Sequence, residues 1–518
     1  MIRTELIAPI SELLERQAKR FPDKVAFSDA RREITYGELN EATRNLATQL
    51  RANGLKDGGS VAIWLPNCVE WAIICLAAVR ARGKAVPVSY DAKLGEVSYR
   101  LKDSESVVIV TRDERVGEFA QLDANGPVVP KTRVLLGDAG DNGLDFNALC
   151  DKPTDGIELE PDDIDVCSYI VYTSGTTGQP KGVMLSSRAM LWATAGCWAP
   201  ILGYGENDRV LSPLPMFHVF SLSIAVLSPV ATGASVHVMD RFSVHTCIDL
   251  LKTGKFNFVP AVPTMFHYIL LEGGKYGKDL FKSIRLCTSA GAIMPASLNK
   301  QFEETFGVEL IDGYGITEMS TMVTMNWPET TRTYGSCGLP VTGLAVRIIN
   351  PSTGIDVDFG EEGELICRGP TLMMGYNNKP EESGKVLRRG WYHTGDLARS
   401  DKHGFLTITG RLKEIIIRGG QNIAPAEVEE TIVEMDEVED CAVVGVPHET
   451  LGEVPDAFIV AAPGKSVDAD AVKAYCANKL SSYKVPATVH VIEQIPRTGS
   501  GKIMRFKLRE QVEKAQGK

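Results

Sequence analysis

The sequence predicts an α/β protein: a large N-terminal domain of layered α/β subdomains, a β-rich subdomain, and a small α+β C-terminal domain. Three observations predict it. Short β-rich runs alternate with amphipathic helical stretches through the first half of the chain. Strand-like runs separated by turn residues then follow between Gly343 and Arg368. Finally, residues 412–518 carry a pattern of their own beyond Gly410-Arg411-Leu412-Lys413.

Each element has a local reason. From Ile10 to Arg20 the apolar residues Ile10, Leu13, Leu14 and Ala18 recur at helical spacing, and the run stops near Pro22. Thr35 caps a second helix, with Glu38 three residues on, a stripe of Leu39, Ala42, Leu46 and Leu50, and a stop at Gly54. Ser60 to Leu65, Ser106 to Val110 and Asp165 to Tyr172 read as strands between such helices. Gly343 to Ile349 and Gly363 to Arg368 are strands bounded by Pro351, Gly354 and Gly360. In the C-terminal part, helices are expected from Ala424 to Met435 and Ala469 to Leu480, with strands at Cys441 to Val446 and Ala457 to Ala461.

Bulk properties narrow the function. The chain has 518 residues, 44% hydrophobic and 23% charged, so it is folded and too long for one core. Its formal net charge of -11 argues against a nucleic-acid partner. Eleven Cys are scattered singly, without CxxC or zinc-ligand spacing, and read as buried hydrophobes in a reducing compartment. The longest apolar run near the N-terminus, Ala72 to Val79, is too short to span a bilayer. No apolar segment of a secretory signal follows Met1, so the expected location is cytoplasmic.

The strongest motif is Tyr172-Thr173-Ser174-Gly175-Thr176-Thr177-Gly178-Gln179-Pro180-Lys181-Gly182, behind an apolar strand. Glycines let the backbone approach a polyphosphate, hydroxyls and N–H groups donate to its oxygens, and the lysine adds charge. It is not a Walker loop, because the G-x-x-x-x-G-K-[ST] spacing is absent. Asp312-Gly313-Tyr314-Gly315-Ile316-Thr317-Glu318 offers a stacking face, a close backbone approach and a carboxylate, which suits a base and a magnesium-bound phosphate. In Trp391-Tyr392-His393-Thr394-Gly395-Asp396, a carboxylate on a turn can accept two hydrogen bonds from a ribose diol. Pro496-Arg497-Thr498-Gly499-Ser500-Gly501-Lys502 puts a lysine on a Gly/Ser-rich stretch near the C-terminus. Alone, each of these also reads as an ordinary turn, cap or solvated loop.

Together and in this order, with Pro213 to His218 between the first two, the motifs resemble the adenylate-forming superfamily. That superfamily contains acyl- and aryl-CoA synthetases, peptide-synthetase adenylation domains and firefly luciferase. The resemblance runs nearly the whole length and is nearest to the acyl-CoA synthetases. It implies an ATP-binding set of Thr173, Ser174, Gly175, Thr176, Thr177, Gly178, Lys181, Ala290, Gly291, Ala292, Asp312, Gly313, Tyr314, Gly315, Thr317, Asp396, Arg411 and Lys502. Tyr314 would pack on adenine, Asp312 would sit at its amino edge, and Glu318 would serve Mg²⁺. Lys502, Thr317, Glu318 and His218 would be the catalytic set. The implied division is a large domain of residues 1–411 and a small mobile domain of 412–518, turning about a hinge at Lys413. Glu414 follows it where many relatives have Asp. Gly419 and Gly420 would line the thiol channel.

The implied reaction is attack of a carboxylate on the α-phosphorus of MgATP, release of pyrophosphate, and transfer of the acyl group to coenzyme A. The acid pocket would involve Phe217, His218, Val262, Gly291, Gly315 and Met319. Its flanking segments are apolar or small and hold no Arg or Lys for a second carboxylate, nor an Asp for an α-ammonium. A neutral-tailed monocarboxylate is expected, with a fatty acid favoured over a benzoate or cinnamate; His218 is either a gate or a packed core residue. A carrier-protein thiol in place of coenzyme A, an aryl-CoA ligase, and a non-catalytic nucleotide- or acyl-binding relative stay open. The partners implied are the acid and the thiol, with the chain a monomer or homodimer.

Overall fold

In a computed structural model, residues 2–153, 161–173, 180–328, 330, 332–419, 421–448, 450–497 and 503–515 are described. The chain forms two compact units. One comprises Met1–Tyr334, Gly338–Ala345 and Cys367–Tyr392; the other comprises Gly335–Cys337, Val346–Ile366 and His393–Lys518.

The helical stretches form where their apolar spacing places them. Ile10–Arg20 and Tyr36–Ala52 are α-helices, and Thr35 closes a capping box with Glu38, its hydroxyl taking the Glu38 N–H while Glu38 Oε2 takes the Thr35 N–H at 2.8 Å. The run Ala72 to Val79 lies in the helix Val69–Arg80, every residue of which is buried. No helix among the described residues is long and apolar enough to cross a membrane.

Two large sheets organise the first unit. In the eight-stranded sheet the strands Lys84–Val88, Ser60–Trp64, Ser106–Arg112 and Thr132–Leu136 run parallel in that spatial order. On its other side Cys167–Thr173 and Lys181–Ser186 pair antiparallel. In the nine-stranded sheet, Arg209–Ser212, Phe258–Ala261, Leu286–Ser289 and Leu310–Ile316 are parallel neighbours. Their carboxyl ends are where an open α/β sheet binds ligands.

In the second unit, the sheet around Val438–His448 and Gly452–Ala461 is covered on both faces. Side chains alternate along the strand: Cys441 and Val443 join the core with Val428, Ile432 and Val472, whereas Ala442, Val444 and Val446 join Ile495, Leu508 and Val512. Ten of the eleven cysteines are buried and Cys167 is partly so. Burial pushes the thiols of Cys68, Cys150 and Cys247 up to about 12 and that of Cys476 to about 11.

Candidate active site

At the carboxyl ends of the nine-stranded sheet, three polar groups are buried without hydrogen-bond partners among the described residues: Ser212 Oγ, Ser289 Oγ and Asp312 Oδ1. Ser289 and Asp312 stand opposite each other on neighbouring strands. Burial pushes the Asp312 carboxyl well above the usual range, opposed in part by the Gly313 N–H. Unpartnered buried polar atoms cost about 1–3 kcal/mol each, so a row of them at a strand end marks a place where a polar ligand repays the cost.

The next residues turn sharply. Gly313 and Gly315 lack side chains for a steric reason: a Cβ on Gly313 would lie 2.5 Å from Met322 Cε, and one on Gly315 2.2 Å from the Thr321 carbonyl oxygen. Tyr314 between them is half-buried. After the 3₁₀ turn Thr317–Met319, Ser320 and Thr321 adopt φ values of 51° and 122°, both buried and neither glycine. A β-branched residue in that region is strained, and such strain collects at functional sites. Their hydroxyl oxygens also lack partners among the described residues.

Glu318, on this turn, is held from a second segment. Its carbonyl accepts the Met373 N–H at 2.9 Å, and its Oε1 accepts the Tyr376 hydroxyl at 3.0 Å. Burial and the Glu318 carboxylate push the Tyr376 phenol up, and the buried Tyr392 phenol nearby is pushed up in the same way. Gly375–Tyr376 adds to the strand Lys181–Ser186, with Tyr376 opposite Val183. That places the ring under Lys181, whose Nζ is 4.9 Å from its centroid and 2.8 Å from Glu382 Oε2.

Thr173 and Lys181 are paired across the hairpin that flanks residues 174–179. Ser174, Gly175, Thr176, Thr177 and Gly178 lie outside the described residues. The Tyr172 hydroxyl donates to Asp103 Oδ2 at 2.7 Å, and a Cβ on Gly182 would meet the Tyr172 ring at 3.1 Å, so this glycine has a packing reason. Phe217 and His218 lie with ring centroids 4.3 Å apart at the start of a short helix, and Met319 is fully buried. Val262 precedes the helix Pro263–Gly273, 3.6 Å from where a Cβ on Gly291 would stand. Ala290 is buried and Gly291 and Ala292 are exposed.

The second unit holds Asp396 and Arg411, opposite each other on the antiparallel strands Trp391–Ser400 and Leu406–Arg411. Arg411 Nε lies 2.9 Å from Asp396 Oδ1. The turn before Asp396 is fixed by Thr394, whose hydroxyl donates to the Leu365 carbonyl at 2.6 Å and accepts the Asp396 N–H at 2.9 Å. Lys413 is exposed, as is Gly419, with φ of 58°. Gly420 and Lys502 lie outside the described residues. The chain on either side of 498–502 is anchored. Arg497 grips Asp440 at 2.8 Å, the Met504 N–H donates to the Pro496 carbonyl, and the partly buried Arg505 bonds Glu414 at 3.0 Å and Glu429 at 2.5 Å.

Tyr376, Glu382 and Tyr392 are absent from the set expected from sequence. They reach Glu318 and Lys181 only through strand pairing between distant segments; the local signals are an aromatic after Gly375 and a helix start at Pro380.

A single carboxylate such as Glu318, hydrogen-bonded on one oxygen, fits Mg²⁺, which is commonly held by one or two carboxylates with substrate phosphates. Groups of three or more His, Cys, Asp and Glu able to hold a metal alone do not occur among the described residues.

The family model of AMP-binding enzymes matches residues 14–377, and that of the AMP-binding enzyme C-terminal domain matches 427–502. The long-chain-fatty-acid–CoA ligase of Bacillus subtilis (strain 168) is 32% identical, over 97% of this chain and 94% of its own. The feruloyl-CoA synthase of an Amycolatopsis species is 33% identical, over 95% of this chain and 97% of its own. Among solved structures, the o-succinylbenzoate CoA synthetase of Bacillus subtilis with its acyl-adenylate superposes with a TM-score of 0.84 at 29% identity, covering 96% of this chain and 97% of that one. The same synthetase has been solved with ATP and magnesium. With matches over nearly its whole length, the chain belongs to the AMP-binding enzyme family, as one of its ATP-dependent acid–CoA ligases.

Proposed function

We propose that this protein activates a neutral-tailed monocarboxylic acid, a fatty acid before an aryl acid, and transfers it to coenzyme A. The observation that supports the neutral tail is the apolar make-up of the segments around Phe217, Val262, Gly315 and Met319, where the buried Met319 and Met322 offer no cation to a second carboxylate. The fatty-acid reading draws support from the long-chain-fatty-acid–CoA ligase relative, and the aryl reading from the feruloyl-CoA synthase.

In the first step a carboxylate oxygen attacks the α-phosphorus, the bond to the bridging oxygen breaks, and pyrophosphate leaves. No protein nucleophile is needed, because positioning and charge stabilisation are sufficient. Thr173, Ser174, Thr176 and Lys181 bind the β- and γ-phosphates, Asp312 and Tyr314 the base, and Asp396 with Arg411 the ribose. Glu318 would hold Mg²⁺, which would neutralise phosphate charge there, and Lys502 meets the charge shared between carboxylate and α-phosphate. In the second step residues 412–518 turn about Lys413 and withdraw Lys502. The thiol then approaches past Gly419 and Gly420, its sulfur bonds the acyl carbon, and AMP departs as the thiol proton is lost to solvent. The reaction takes place in the cytoplasm, within fatty acid and lipid metabolism.

The test is pyrophosphate release from MgATP across a panel of acids, each with and without coenzyme A. Multiple turnovers only with coenzyme A, and acyl-CoA as product, are expected, with medium or long fatty acids ranking first. A single burst indifferent to coenzyme A would point to a carrier-protein thiol, and preference for benzoates or cinnamates would reverse the choice of acid.

A further inference from the structure

We propose that Tyr376 is a positioning residue that sets both the metal carboxylate Glu318 and the phosphate lysine Lys181, one through its hydroxyl and the other through its ring. The inference rests on the reading of Glu318 as the Mg²⁺ carboxylate. Its basis is that one side chain touches both groups. The hydroxyl donates to Glu318 Oε1 at 3.0 Å, which fixes that oxygen and leaves Oε2 to face a cation. The Lys181 ammonium lies 4.9 Å from the ring centroid, within reach of the ring's negative face.

The backbone around Tyr376 is fastened on every side. Its N–H donates to Ser383 Oγ at 2.8 Å, the Asn377 N–H to the Gly182 carbonyl at 2.7 Å, and the Met374 N–H to the Met184 carbonyl at 2.9 Å. One residue earlier, the Met373 N–H reaches the Glu318 carbonyl at 2.9 Å. A five-residue stretch thus ties the strand that carries Lys181 to the turn that carries Glu318. Only a side chain with an aromatic face and a terminal donor can hold a carboxylate at one end and an ammonium over its face. Outer partners of a metal ligand are commonly worth about 10–100-fold in metal affinity.

Two variants separate the two contacts. Tyr376→Phe removes the hydroxyl and keeps the ring; Tyr376→Leu removes both. Equilibrium binding of ATP is measured by calorimetry with and without metal, and Mn²⁺ affinity in the enzyme–ATP complex by electron paramagnetic resonance. Tyr376→Phe is expected to weaken Mn²⁺ by about 10-fold or more while metal-free ATP binding stays unchanged. Tyr376→Leu is expected to weaken metal-free ATP binding as well, since Lys181 loses its platform. Glu318→Gln serves as the reference. If it removes the metal effect and Tyr376→Phe leaves Mn²⁺ affinity intact, the positioning role is overturned and the Glu318 reading survives. If Glu318→Gln itself leaves Mn²⁺ affinity intact, the underlying metal assignment fails. Equal loss of ATP affinity with and without metal in Tyr376→Phe would reduce the residue to a structural role.

Discussion

Lys502→Ala is expected to slow adenylate formation by about 10²–10³-fold while leaving thioester formation from a supplied acyl-adenylate nearly unchanged. The asymmetry follows from where charge develops. In the first step a carboxylate approaches a phosphate that is already negative, and a preorganised ammonium is worth most as the two share charge. In the second step the acyl carbon is attacked by a thiol and AMP leaves as a stable anion, so the same lysine has nothing left to stabilise. Pyrophosphate exchange reads the first half-reaction, and acyl-CoA formation from synthetic acyl-adenylate reads the second. Equal loss of both would refute the division of labour.

The second large effect concerns Arg505. Its guanidinium lies partly buried between two carboxylates, and it also donates to the Val443 carbonyl at 3.3 Å. Replacing it by methionine leaves the partly buried Glu429 without its cation, at a cost on the order of 2 kcal/mol, below that of a fully buried pair. Hydrogen exchange along Val438–His448 should then quicken by about 10-fold or more in the intact chain, because each 1.4 kcal/mol is about tenfold. The paired variant Arg505→Met/Glu429→Gln should recover much of that protection by removing the stranded charge. Unchanged exchange in the single variant would show that the triad contributes nothing to this sheet. Since Glu414 directly follows Lys413, the triad also joins the expected hinge to the chain that follows Lys502.

Much of this was legible in the sequence where the information is local. The Thr35–Glu38 box, the helix from Ile10 to Arg20 and the strand Gly363–Arg368 formed as their spacing dictates. Ends drifted where tertiary pairing decides: the run expected at Cys441 to Val446 is a strand from Val438 to His448, extended by ten partners on Gly452–Ala461. The helix expected from Ala424 to Met435 is Pro425–Val433, with Ala424 outside it as the capping residue. The residues expected at the site were readable as motifs, because loops that cradle phosphate need particular residues in close succession. Tyr376 and Glu382 were not, because they meet Lys181 across about two hundred positions, from a two-residue strand and the helix after it, whose partner no local pattern names.

The burial of the cysteines bears on chemical self-defence. An acyl-adenylate is an electrophile that any accessible thiolate will capture, and this chain carries eleven thiols of its own. Ten are shut away from water, burial also pushes up the thiol of the partly buried Cys167, and those of Cys68, Cys150, Cys247 and Cys476 stay protonated far above neutral pH. The protein can therefore generate a thiol-seeking intermediate without labelling itself, and the sulfur that captures the acyl group has to arrive from outside the chain.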